Sequence, residues 1–146
     1  MAEQTSIEQL IDDFSYLEDW EDRYAHVLEL GRALAPLSAE EHTDTTLIRG
    51  CVSQVWLVRE PISDEADPVL TFRGDSDSQL VRGLIAILLM VFSGHKASEI
   101  MNLDASVVLG TLGLDQHLTP QRANGLSSMV TRVKAEAAAV LASTAS

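Results

Sequence analysis

Asp77-Ser78-Gln79-Leu80-Val81-Arg82-Gly83-Leu84-Ile85-Ala86-Ile87-Leu88-Leu89-Met90-Val91-Phe92-Ser93 is apolar on nearly every face, and Arg82 is its single charge after Asp77. Leu80, Val81, Leu84, Ile85, Leu88, Leu89 and Phe92 recur at helical spacing. A helix on a protein surface keeps one polar face, whereas one that is apolar all round belongs inside. The unbroken apolar run Leu84 to Phe92 is too short to cross a bilayer. The stretch therefore predicts a core helix packed against a sheet.

The sheet is expected just upstream. Residues 45 to 50, 53 to 60 and 69 to 74 read as three strands, rich in β-branched and aromatic residues and separated by turn formers. Ser63-Asp64-Glu65-Ala66-Asp67-Pro68 is a short polar connection between the second and third, which implies antiparallel pairing. Helices flank this sheet. Ser6 with Gln9 forms a capping box for a short helix through Leu17. A second helix starts near Asp19, carries Trp20, Tyr24, Val27, Leu28, Leu30 and Leu34 on helical spacing, and stops before Pro36. Ser38 with Glu41 suggests one further turn. Beyond the core helix, short helices are expected at 97 to 102 and 105 to 112, then a long one from Thr119 with Pro120 in the favoured first position. Its alanine-rich later part leads into a polar tail, about 137 to 146, expected to fray. The fold class is α+β, a small antiparallel three-stranded sheet covered by helices, in a single domain over residues 1 to 146.

Composition narrows the function. The 146 residues carry 10 basic and 22 acidic side chains, a net charge of -12. Nucleic acid and anionic membrane surfaces both reward clustered lysine and arginine, so neither is an expected partner. Met1 to Ile11 lacks the basic and apolar regions of a secretory signal, and one unpaired cysteine suits a reducing compartment, so a cytoplasmic location is expected. The acidity concentrates in residues 1 to 30, where nine carboxylates face the single base Arg23. That region reads either as a solvated face or as a docking surface for a basic protein.

The single cysteine, Cys51, stands in Leu47-Ile48-Arg49-Gly50-Cys51-Val52-Ser53-Gln54-Val55-Trp56. One thiol closes no intramolecular disulfide and supplies too few ligands for a zinc or iron-sulfur site. Two readings stay open: a packed inert thiol, since free cysteine often behaves as a small hydrophobe, or a reactive one. Gly50 permits the backbone angles of a tight loop, and Arg49 brings a cation that favours the thiolate if its side chain points inward. His26, His42, His95 and His117 are the candidate bases, with no spacing that singles one out. No Cys-x-x-Cys is present.

Three blocks around that cysteine carry a resemblance: Arg49-Gly50-Cys51-Val52-Ser53-Gln54-Val55-Trp56; Gly74-Asp75-Ser76-Asp77 followed by Val81-Arg82-Gly83-Leu84-Ile85-Ala86; and Gln116-His117-Leu118-Thr119-Pro120-Gln121-Arg122 with Gly125-Leu126. Trp20-Glu21-Asp22-Arg23-Tyr24 and Leu30-Gly31 extend it to the N-terminal part. In order and spacing the chain resembles the SufE family, sulfur acceptors that work with cysteine desulfurases in iron-sulfur cluster biogenesis and whose fold is related to that of cluster scaffolds. The resemblance implies that Cys51 takes persulfide sulfur from a desulfurase, stimulates that enzyme, and passes the sulfur toward iron-sulfur scaffold proteins. It implies an accessory protein, not an enzyme in its own right, with no metal or cofactor of its own. The pyridoxal phosphate of the reaction would sit on the desulfurase, and Lys96 and Lys134 are the only lysines here.

The same resemblance implies roles for Arg49, Gly50, Ser53 and Gln54 in the cysteine loop, for Asp75, Ser76 and Asp77 as a turn that tunes it, and for His117 and Arg122 in partner contact. Residues alone leave alternatives. Asp75 to Asp77 also read as a strand end turning into a helix cap, and His117 and Arg122 as a helix start capped by Thr119. Trp56 is assigned to the core. A homodimer is left open. A desulfurase-binding module that transfers nothing, and a one-cysteine redox sensor, are the alternative functions.

Overall fold

Every backbone group of the apolar Asp77–Ser93 stretch needs an internal partner once buried, and the helix provides it. The computed structural model describes residues 7–48, 54–63, 65–116 and 118–144. Helix α3 spans Gln79–Phe92, with the Ser78 hydroxyl accepting from the Val81 amide at 3.4 Å as its cap. Nine of its residues are buried. Around it stand α1 (Ile7–Ser15), α2 (Trp20–Ala33), α4 (Ala97–Asn102), α5 (Ala105–Leu112) and α6 (Pro120–Thr144). Of these, α1, α2, α5 and α6 pack directly on α3.

The strands are β1 (Val55–Arg59), β2 (Val69–Leu70), β3 (Phe72–Ser76) and β4 (His95–Lys96). β1 and β3 pair antiparallel from Val55 opposite Ser76 to Arg59 opposite Phe72. The fold is α+β with antiparallel pairing, as expected, but among the described residues the strands form two two-stranded sheets, β1–β3 and β2–β4, in place of one three-stranded sheet. The stretch read as one strand, 69 to 74, breaks at Thr71: β2 turns to pair with β4, while the Ser93 hydroxyl accepts the Phe72 amide at 2.9 Å in place of a ladder partner. A two-residue strand such as β4 is too short to show periodicity, so nothing local marks it.

The expected first strand contracts as well. Over described residues 45–48 it is a single bridge, Leu47 to Trp56, flanked by Ile48 N–H to Val55 O at 2.8 Å and Leu57 N–H to Thr46 O at 2.9 Å. Thr43 and Thr46 bond each other's backbone amides through their hydroxyls, which holds the chain in a turn up to Thr46. Ser38–Glu41 does form its turn, a 3-10 helix over Ala39–Glu41 with the Glu41 carboxylate accepting the Ser38 amide at 3.0 Å. The box expected at Ser6 lies outside the described residues.

Two glycines set the α2–α3 crossing. A Cβ at Gly83 would sit 2.1 Å from the Val27 carbonyl oxygen, and one at Gly31 would sit 2.4 Å from the Gln79 carbonyl oxygen. The helices touch backbone to backbone. On the other side, Leu126, Met129, Val133, Ala137 and Val140 form the buried stripe of α6 at three- and four-residue spacing. Among the described residues no helix is long and apolar enough to cross a membrane. Gly83→Ala should force α2 and α3 apart and cost about 2–3 kcal/mol, read as a lower urea midpoint with the far-ultraviolet circular dichroism of the native fold retained below it.

Candidate functional site at the ends of the Cys51 segment

Arg49, Gly50, Cys51 and Ser53, together with Val52 and His117, lie outside the described residues. What the structure does define is how the chain arrives at Ile48 and departs from Gln54. Ile48 is buried and its amide bonds the Val55 carbonyl. Gln54 is held on the far side by the end of β3. Its carbonyl accepts from the Ser76 hydroxyl at 2.6 Å and from the Asp77 amide at 3.3 Å, and its own amide donates to Asp77 Oδ1 at 3.1 Å. Ser76 Oγ also accepts the Ser78 amide at 3.2 Å, linking this clasp to the start of α3. Of the residues implied by the family blocks, Gln54, Asp75, Ser76 and Asp77 are thus brought together.

Asp75 differs from its neighbours, because it is a carboxylate with only 5 % of its surface exposed. A buried carboxylate must be paired and hydrogen-bonded. Oδ1 accepts from the Ser76 amide at 2.8 Å and from Arg82, and Oδ2 accepts from the Leu37 amide at 3.1 Å. His42 Nε2 lies 3.0 Å from the same Oδ2, while His42 Nδ1 faces the Ser38 carbonyl at 2.8 Å. Burial pushes the Asp75 carboxyl up, but the Leu37 and Ser76 amides, His42 and the Arg82 charge together outweigh it and hold it below the usual aspartate range. The helix-cap role considered for this turn falls to Ser78.

Arg82 completes the arrangement from α3. Besides Asp75, its guanidinium donates to the Gly31 carbonyl at 3.1 Å and to the Leu34 carbonyl, two acceptors at the end of α2. The linking segment 37–48 is fastened at further points. Arg73 of β3 bonds Glu41 and Glu60, and this guanidinium holds the Glu41 carboxyl down to about 2. Arg132 of α6 donates to the Thr45 carbonyl and shares Glu136 with Arg59 of β1.

Trp56 is only partly buried, contrary to its expected place in the core. Its ring meets His42 edge to face at 4.4 Å and 88°. The other described histidines are placed otherwise: His26 packs edge-on to Phe14, and His95 lies 3.8 Å from Glu99. Arg122 stands apart from the Asp75 cluster, at the start of α6, where its amide bonds the Thr119 hydroxyl at 3.3 Å. It lines a groove of about 290 Å³ whose apolar walls are Val55, Val81, Leu84, Leu126 and Met129. Val55 directly follows Gln54, so this groove opens beside the departure from the Cys51 segment.

His42, one of four histidines with no spacing to single it out, and Arg82, which the sequence places only inside a matching block, are the residues that the structure adds to the site. For Arg82 a signal existed, since one guanidinium in an otherwise apolar buried helix requires a partner. A carboxylate held below its usual range stabilises the fold fully above that range and loses the contribution as pH falls through the lowered value. Asp75→Asn should therefore cost about 3 kcal/mol in urea denaturation at pH 7, with the gap to wild type shrinking below about pH 4.

The SufE family, described as Fe-S metabolism associated domain, matches residues 8–137. The chain is 52% identical over 133 residues to an uncharacterized SufE-like protein of Rhizobium meliloti (strain 1021), covering 91% of this chain and 95% of that one. It is 51% identical over 132 residues to a second such protein of Rhizobium etli, covering 90% and 89%. A solution structure of a hypothetical protein from Thermus thermophilus superposes with a TM-score of 0.71 at 17% identity, over 93% of this chain and 96% of that one, and shows the same fold. With the family match spanning most of the chain and half the residues shared with SufE-like proteins, this chain belongs to the SufE family of iron-sulfur metabolism.

Proposed function

We propose that this protein is a sulfur carrier for iron-sulfur cluster assembly, working in the cytoplasm with a cysteine desulfurase. The Cys51 thiolate attacks the outer sulfur of the persulfide on the desulfurase cysteine. A new sulfur-sulfur bond forms on Cys51, the old one breaks, and the desulfurase cysteine departs as a thiolate, with no net oxidation or reduction. Attack of this kind depends on the thiolate fraction and access of the incoming thiol. The desulfurase, bearing pyridoxal phosphate, supplies the carbon-sulfur cleavage. A scaffold protein receives the sulfur afterwards.

The observation that carries this reading is the fastening of both ends of the segment, residues 49–53, that holds the chain's only thiol. Ile48 is fixed to Val55, and Gln54 to Ser76 and Asp77. A carrier must present a thiol to a partner without losing the rest of its fold, and anchored ends hold that fold on both sides of the thiol. The apolar groove beside Val55 adds a second support. A persulfide carried between partners needs shelter from water and oxidants, and walls of Val81, Leu84, Leu126 and Met129 offer it. Asp77, exposed and bonded to Gln54, is the contact through which this anchoring is tuned, and Arg122 at the groove rim meets the partner. Arg49, Gly50, Ser53 and His117 complete the proposed set.

Intact-mass analysis after incubation with a cysteine desulfurase and free cysteine, without reductant, tests the proposal. Wild type should gain the mass of one or more sulfur atoms and raise desulfurase turnover, and Cys51→Ser should do neither. Binding of the enzyme with no sulfur gained by wild type would favour a non-transferring module instead.

A further inference from the structure

Arg82 has three acceptors on two different elements, and no part of the sulfur-carrier reading uses it. From α3 it reaches the Gly31 and Leu34 carbonyls at the end of α2 and Asp75 Oδ1 on β3. Its side chain is 19% exposed and that of Asp75 is 7% exposed, so the pair is largely withdrawn from water. A planar fork with five donors is needed to serve three such acceptors, and the point charge of lysine serves them poorly. Asp75 in turn distributes the constraint. Through Oδ1 it holds the Ser76 amide, and the Ser76 hydroxyl holds the Gln54 carbonyl. Through Oδ2 it holds Leu37 and His42 on the segment that leads to Ile48. The route from this carboxylate to the Cys51 segment therefore runs through Ser76 to Gln54, and Arg82 bonds the same Oδ1 that holds the Ser76 amide.

We infer that Arg82 is a positioning residue for the thiol chemistry of Cys51, acting through Asp75 and the Ser76–Gln54 bond. The inference rests on the reading of Cys51 as the reacting thiol. A purely structural role would make Arg82 matter for melting alone. A positioning role makes its effect on Cys51 pass through Ser76, so that removing the Ser76 hydroxyl removes the effect.

The test is the rate at which iodoacetamide alkylates Cys51, followed by intact mass in wild type, Arg82→Lys, Ser76→Ala and the double variant, with melting temperatures recorded alongside. Loosening the anchor by one hydrogen bond should raise the rate roughly two- to tenfold in each single variant. The double variant should react no faster than Ser76→Ala, although Arg82→Lys lowers the melting temperature in both backgrounds. A folded Arg82→Lys protein that reacts at the wild-type rate overturns the inference, and so does an equal further increase in the Ser76→Ala background. Asp75→Asn breaks the same link and replaces Arg82→Lys in the cycle should that variant not fold. Alkylation needs neither desulfurase nor persulfide, so a failed sulfur uptake and a failed coupling are separate results.

Discussion

The pairing of Asp75 with Arg82 is the constraint from which the rest of the site takes its geometry. Two charges withdrawn from water cost several kcal/mol, and their attraction alone seldom offsets that. Here the offset comes from complete hydrogen bonding: the carboxylate receives two backbone amides and an imidazole as well as the guanidinium, and the guanidinium meets two helix-end carbonyls besides. The pair thereby serves as a three-way junction between the end of α2, the end of β3 and the first turn of α3. Removing either member strands the other: without Asp75 the Leu37 and Ser76 amides lose this acceptor, and without Arg82 the Leu34 carbonyl loses this donor.

That junction works only because α2 and α3 approach so closely. Gly31 contributes both the carbonyl that Arg82 reaches and the absent side chain that lets α3 come near. Gly83, next to Arg82, opens the same space from the other helix. Backbone contact and ion pair are therefore parts of one arrangement. On the opposite flank, α6 walls the groove with its first turns and ties β1 to the 37–48 segment through Arg132 and Glu136.

Elements governed by local chemistry were legible in the sequence. α4 and α5 occupy the expected spans, and α5 shows why: Asp104 caps its start by accepting from Ser106, and Gly113 ends it at φ 76. α3 was legible from its unbroken apolar character. The antiparallel β1–β3 pairing was legible too, but the division of the strands was not, because Thr71 separates two strands by a change of partner, and partners distant in sequence leave no local mark. The site divides along the same line. Gln54, Asp75, Ser76 and Asp77 were reached through family resemblance, whereas His42 stands 33 positions from Asp75 and sits in a polar stretch with no pattern to distinguish it. Trp56 was misplaced because alternation in a strand fixes which face a side chain takes, not what covers that face.

The order in which such a site assembles follows from how far apart its parts lie along the chain. Arg82 and Asp75 are seven residues apart, so they meet as soon as β3 and α3 form as neighbours. Gln54 must return across 23 residues to Asp77, and Leu37 across 38 to Asp75, and closing longer loops costs more chain entropy. The acceptor is thus oriented before its distant donors arrive. The bonds at Gln54 and Leu37 are therefore expected to close late in folding, onto a template that the nascent β3–α3 unit provides.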